Sequence, residues 1–286
     1  MTRYLSLIAG VALIVSGLPA QQQKLVLTDR EKPIAEQIKG LRALPDARRG
    51  AVTKQLALDI RALPAGQGKL MLADSLANLS TEGDFGKQTL QEVAVTLSAT
   101  LTEQTAASSS GMPEEPYVTL AQLVRYEGVQ LPVNDPLLTA AMARLQAEEQ
   151  RRAGVDFSLT DTKGHSWSLH ELRGKVVLVN FWATWCPPCR REMPDLEVLS
   201  KEFGPKGLVI LAVSDEEAAK VDPFIAEHKY SYPILLDPGD KVEKLMFVEG
   251  IPKSFVYNRE GKIVAQAIDM RTRGQLLEML GKAGLK

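Results

Sequence analysis

Sulfur is scarce in this chain. Its 286 residues include two cysteines, Cys186 and Cys189, so no frame of structural disulfides is available and packing must hold the fold. Histidine is almost as sparse, with only His165, His170 and His228. A zinc site built on the two thiols would have to find two more soft ligands among these three. Surplus charge is missing too: 34 Lys and Arg against 35 Asp and Glu leave a formal net charge of −1. That balance gives no basic footprint for nucleic acid or an anionic membrane surface. What remains is ordinary globular composition, 45% hydrophobic and 24% charged, over a length that favours two domains.

The chain is organised around Val176–Pro194, VVLVNFWATWCPPCRREMP. The run Val176–Trp182, rich in Val and Phe, fits a strand buried on both faces of a parallel or mixed sheet. Pro187 and Pro188 fit the first turn of a helix, where a missing N–H costs nothing. Met193, Leu196, Leu199 and Phe203 then continue at helical spacing. Cys186 is therefore placed at the helix N-terminus, where free N–H groups and the dipole favour a thiolate. Cys189, one turn on, is placed to close an intramolecular disulfide and release a bound partner. Half a zinc site, a purely structural disulfide and a copper-binding thiol pair are the competing readings; a one-turn loop gains little stability from a cross-link.

VNFWATWCPPCRREMP resembles the thioredoxin superfamily, and within it the TlpA/ResA-type extracytoplasmic thiol–disulfide oxidoreductases. The resemblance covers about residues 155–286. Trp185 precedes the first cysteine, Pro194 follows the second by five positions, and Gly250-Ile251-Pro252 matches the loop whose proline is cis and faces the dithiol. The resemblance implies that Pro252 is cis, that Ile251 presents backbone to a substrate chain, and that Glu192 is an acid near the reacting sulfurs. It also implies that Trp185, Pro187 and Pro188 help form the docking surface. Asn180 stands where thioredoxin itself carries a buried Asp. Asn does not titrate, so acid–base help would have to come from Glu192 or water.

Residues 1–23 carry one charge, Arg3, and the mostly apolar run Tyr4–Leu18, shorter than the ~20 residues of a spanning helix. Residues 1–20 are expected to be a secretory signal, with an uncleaved anchor as the alternative. Either places the mature chain outside the cytoplasm, periplasmic or secreted, where a disulfide persists.

Residues 24–150 read as a helical domain. Ile34, Ile38 and Leu41 form one apolar stripe; Val52, Leu56, Ile60 and Leu63 form another. LRALP and IRALP recur nineteen residues apart, at Leu41–Pro45 and Ile60–Pro64, each proline ending a helix. Helices are also expected over Leu70–Leu79, Leu90–Leu101, Tyr117–Tyr126 and Asp135–Arg152. Glu103–Pro116 reads as a loop, and Asp135 as an N-cap with Pro136 at N1. Nothing in this half carries chemistry; its plain reading is a packing or partner-docking module, and its sharper one is a substrate-presenting or oligomerisation surface.

Residues 153–286 read as the thioredoxin-like domain. Val155–Leu159 and Trp167–Leu169 form a hairpin around Asp161–Gly164. Leu208–Val213 is a second buried strand, and Ser214–Glu217 caps a helix running through Phe224. Asp222–Asp237 resembles the insertion that sets TlpA/ResA proteins apart from plain thioredoxin. Lys253–Tyr257 and Lys262–Ile268 alternate around a turn. Thr272–Leu285 is an amphipathic helix with Leu276, Leu277 and Leu280 inward. His170 and His228 read as solvated.

The expectation is therefore an α/β fold: a thioredoxin-like central mixed sheet flanked by helices, preceded by an all-α N-terminal region. Its activity is thiol–disulfide oxidoreduction on protein thiols and disulfides. The only redox group is the Cys186–Cys189 pair, with no cofactor or metal, and a membrane electron donor re-reduces it. Pro-Pro between the cysteines lacks the His of the most oxidising relatives, which points towards a reductase. The TlpA/ResA resemblance, which implies reduction of apocytochrome or other envelope thiols, points the same way. A copper metallochaperone and a peroxiredoxin-like peroxidase are the alternatives. The peroxidase reading suffers from Thr184-Trp185-Cys186, which has the wrong spacing for a peroxidatic Pro-x-x-x-Thr-x-x-Cys.

Overall fold

The computed structural model describes residues 25–107 and 114–286. The signal or anchor expected over residues 1–20 lies outside the described residues. Among the described residues, no helix is long and apolar enough to cross a membrane.

Six helices build the N-terminal half: α1 (Glu31–Gly40), α2 (Asp46–Arg61), α3 (Gln67–Leu79), α4 (Lys87–Ala107), α5 (Glu114–Tyr126) and α6 (Pro136–Arg152). Pro45 and Pro64 do interrupt helices. Leu44 is already extended, with ψ 144°, and α2 ends before Pro64. The expected stripes form one core of Leu56 and Ile60, Leu72 and Leu76, and Leu97 and Leu101, closed by Leu120 and Leu145. Asp135 caps α6 by accepting from Leu137 N at 2.7 Å, with Pro136 in the first turn. The loop expected over Glu103–Pro116 is shorter than its composition suggested. Helix α4 continues to Ala107 and α5 starts at Glu114, because the core stripe persists through buried Leu101 and Gln104.

The C-terminal half is a seven-stranded sheet with the order β2-β1-β5-β4-β3-β6-β7. Its elements are β1 (Ser158–Asp161), β2 (Ser166–Ser168), β3 (Val176–Phe181), α7 (Pro187–Phe203), β4 (Leu208–Ser214), α8 (Ala218–His228), β5 (Ile234–Leu236), α9 (Lys241–Leu245), β6 (Lys253–Tyr257), β7 (Ile263–Ala267) and α10 (Arg273–Lys282). β3, β4 and β5 run parallel; β1, β2, β6 and β7 pair antiparallel. All six residues of β3 are buried. Strand alternation sends Val176 and Leu178 to the face covered by α7 and α10, and Val177, Val179 and Phe181 to the face shared with α9. This is the thioredoxin-like arrangement, a mixed sheet between helices, with a helical region before it.

Two local expectations are corrected. Ser214–Glu217 makes no side-chain cap for α8: the N-cap position falls to Glu217, whose side chain makes no capping bond, and Ser214 Oγ accepts from Glu216 N at 3.3 Å instead. In α10, Leu276 and Leu280 face inward but Leu277 is exposed, and Met279 takes the third buried position.

The two halves meet through polar contacts. Arg271, two residues before α10, is ion-paired with Glu127 just after α5, both nearly buried. Arg144 of α6 reaches Glu249 at 2.5 Å, and Arg152 donates to Met246 O at 2.7 Å. Thr81 Oγ1 donates to Asp269 Oδ2 at 3.4 Å.

Candidate active site

β3 ends at Phe181, and the chain turns through Trp182-Ala183-Thr184-Trp185 before α7 begins. Trp182 N is held by Val213 O at 3.0 Å and Cys186 N by Ala183 O at 3.2 Å. Cys186 is the N-cap of α7. Its backbone is extended, Pro187 and Pro188 occupy the first turn, and its Sγ accepts from Cys189 N at 3.2 Å. Cys186 and Cys189 are joined as a disulfide, and both are buried. A sulfur in this position keeps an N–H donor and the positive end of a helix beside it when the bond opens, which favours the anion.

Opposite the disulfide, Ile251–Pro252 is a cis peptide bond. The Ile251 carbonyl oxygen lies 3.7 Å from Cys186 Sγ. Pro252 is buried, Ile251 half-buried, Pro187 exposed and Trp185 67% exposed. The structure thus brings Cys186, Cys189, Pro187, Pro188, Ile251 and Pro252 together, with Trp185 standing out into solvent beside them.

Glu192 lies on the buried side of α7, 1% exposed. Its Oε2 accepts from Asn180 Nδ2 at 2.8 Å and its Oε1 from Arg271 N at 2.8 Å. Burial pushes the carboxyl up to about 7, against the two N–H donors, which favour the anion. Asn180 therefore does more than fail to titrate: its amide also donates to Ser254 Oγ at 2.9 Å, tying the acid to β6. A carboxyl balanced near neutrality can hold or release a proton at the pH where thiols exchange.

Three residues of this constellation escaped the sequence reading. Glu216, after β4, accepts from Thr184 N at 2.6 Å and Thr184 Oγ1 at 3.0 Å, fixing the turn just before Cys186. Ser254 faces Asn180 in the β3–β6 register; two polar residues at inward positions of neighbouring strands were a usable signal. Arg271 left none. His170 is exposed on a short turn, and His228 is exposed and stacks on Phe224 at 4.2 Å; neither histidine appears among the contacts of the disulfide.

Comparison with known proteins agrees with this geometry. A family profile described as the AhpC/TSA family matches residues 151–266. The thiol-disulfide oxidoreductase ResA of Bacillus thuringiensis (strain Al Hakam) is 37% identical over 128 residues, spanning 44% of this chain and 74% of that protein. ResA of Bacillus subtilis (strain 168) is 37% identical over 129 residues, 45% of this chain and 72% of its own. Among solved structures, a thiol:disulfide interchange protein of the thioredoxin family from Chlorobium tepidum TLS is similar at 27% identity and a TM-score of 0.41, covering 45% of this chain and 92% of that one. Through its C-terminal half, this chain belongs to the ResA family of thiol–disulfide oxidoreductases.

Proposed function

We propose that the protein is a reductase of disulfides in proteins outside the cytoplasm, disulfides of apocytochromes being the substrate class that the family likeness suggests. The observation that carries this reading is the place of Cys186 Sγ. It caps α7 with Cys189 N–H at 3.2 Å and sits 3.7 Å from the Ile251 carbonyl. In the reduced protein the Cys186 thiolate attacks one sulfur of a substrate disulfide, and the other leaves as a thiolate that takes up a proton. The Cys189 thiolate then attacks Cys186 Sγ, forming the bridge seen here and releasing the second substrate sulfur. Two electrons and two protons pass from the dithiol to the substrate. Glu192 supplies or accepts the proton at Cys189, and the substrate chain pairs with the backbone at Ile251 beside Pro252, with Trp185 and Pro187 as the rim; Pro188, expected at that surface, is buried beneath it. The apolar N-terminal segment directs the chain outside the cytoplasm, and a membrane electron donor restores the dithiol.

Two measurements test it. Equilibration with glutathione buffers should give a potential near that of thioredoxin, about −270 mV; one near that of DsbA, about −120 mV, overturns the direction. Cys186→Ser should abolish turnover of a protein disulfide, whereas Cys189→Ser should accumulate a mixed disulfide. Turnover by Cys186→Ser would end the mechanism.

A further inference from the structure

Each closure of the Cys186–Cys189 bridge puts a proton on a carboxyl that water does not reach. Cys189 and Glu192 are each 1% exposed. Both Glu192 oxygens are taken by N–H donors, Asn180 Nδ2 and Arg271 N, at 2.8 Å each. Neither donor can accept a proton in return. A buried carboxyl that cycles must therefore hand its proton to another base before the next turnover.

Arg271 N belongs to the turn between β7 and α10, and that turn carries one acid. Met270 and Arg271 are buried, whereas Asp269 is only partly so. Asp269 lines a cleft of about 680 Å³ between the two halves, together with Gly250 and Ile251 of the cis-proline loop. The acid thus stands two residues from the Glu192 contact and opens on the cleft. Carboxylates outnumber cations along the cleft lining, a field that favours a departing proton.

The hydrogen bonds of Asp269 leave it free to carry one. Its Oδ1 accepts from Met270 N at 2.7 Å. Its Oδ2 has Thr81 Oγ1 at 3.4 Å, but that hydroxyl has a single proton and also donates to Asn78 O at 2.8 Å. The shorter bond has the stronger claim, so Oδ2 is loosely held. The charged groups that face Asp269 are Glu82 and Arg42 from the helical half, Arg271 from its own turn and Glu192 from α7. Burial first, and the Glu82 charge second, push the Asp269 carboxyl up to about 7. Burial brings Glu192 to about 7 as well, and the charge on Asp269 opposes its ionisation. Two carboxyls matched in this way exchange a proton without an uphill step.

We propose that Asp269 is the second member of a proton relay, taking the proton that Glu192 draws from Cys189 and releasing it to water in the cleft. The proposal rests on the oxidoreductase reading above. Cys189 S–H gives its proton to the Glu192 carboxylate. Glu192 passes it, through water entering from the cleft, to the Asp269 carboxylate, and Asp269 gives it to bulk solvent. The Cys189 thiolate closes on Cys186 Sγ, and both acids return to their starting forms. The electrons move only between sulfurs. The helical half borders the exit through Asp74, Asn78 and Glu115.

The test uses the full-length reduced protein and a decapeptide whose one cysteine is a mixed disulfide with glutathione. Rapid mixing and acid quench give two rates: formation of the mixed disulfide on Cys186, and its resolution by Cys189. In dilute buffer at pH 7, Asp269→Asn should leave formation unchanged and slow resolution roughly tenfold, less than the ~100-fold that loss of a general base costs. Glu192→Gln should show that larger loss, and the double variant should be no slower than Glu192→Gln, since the two acids act in series. Imidazole, which titrates near neutrality, should speed resolution by Asp269→Ala in proportion to its concentration and leave wild type unchanged. A purely structural Asp269 would give no such response. Resolution at the wild-type rate in Asp269→Asn overturns the relay. So do equal losses in both steps, multiplied losses in the double variant, or an Asp269→Ala that ignores imidazole. The two levels separate in the wild type: if it forms no mixed disulfide, the oxidoreductase reading falls and takes the relay with it. If it forms and resolves one as fast as Asp269→Asn does, only the relay falls.

Discussion

Two buried lysines, one in each half, are treated in opposite ways. In the helical half the charge is settled locally: Lys69 meets two carbonyls and Glu103. Glu82, 3% exposed, is engaged by both Arg42 and Arg49. In the sheet half Arg271 is paired with Glu127, but two other buried ionisable groups have no counter-charge in contact. Glu192 has amide donors only, and Lys253 has an aromatic face. Removing one member of a settled pair strands the other, whereas removing an unmatched charge relieves a penalty.

The largest expected effect sharpens that contrast at Glu192. Its carboxyl titrates near 7 in the folded state against about 4.5 unfolded. Between those values the folded protein holds a proton that the unfolded chain has lost, so stability falls as pH rises, by about 1.4 kcal/mol per unit. Glu192→Gln should match wild type at pH 4.5 and exceed it by roughly 2–3 kcal/mol at pH 8, in urea titrations at the two pH values. The Asn180 amide must turn over to accept from the new Gln. The same variant should lose the neutral-pH inflection in turnover. Equal stability at pH 8 would mean that the carboxylate is better solvated than its surroundings indicate.

Next comes a matched pair of lysines. Lys69→Ala strands Glu103 and two carbonyls and should cost about 2 kcal/mol. Lys253→Met should change stability by less than about 1 kcal/mol, or raise it. Denaturant midpoints at pH 7 decide, and similar losses for both would erase the distinction between them. The smallest effect is expected at Glu216. Glu216 is a buried carboxylate of the sheet half that is fully hydrogen-bonded, by Thr184 N and Oγ1. Glu216→Ala should therefore behave like a change in the helical half and cost about 1 kcal/mol.

Legibility in the sequence followed distance along the chain. The strand at Val176–Phe181, the helix start at Pro187, the Asp135 cap and the stripes of α1–α6 depend on residues a few positions apart, and all were readable. The cis Pro252 was readable from the GIPxxF context. The surroundings of the acid were not. Thr184 meets Glu216 from 32 residues away, Asn180 meets Ser254 from 74, and Glu192 meets Arg271 N from 79. The capping pattern at Ser214–Glu217 misled because the helix starts later than Ser214 could cap, and its N-cap falls on Glu217, a residue type not favoured there. At Leu277 the helical period left two adjacent leucines competing for one inward position, and packing chose Leu276.

Arg271 works at both ends of itself: its amide steadies the acid behind the dithiol while its guanidinium is locked to Glu127. The two halves cannot swing apart without pulling on that tether. Any relative motion of the two halves therefore bears directly on one of the two N–H donors that hold the Glu192 carboxyl.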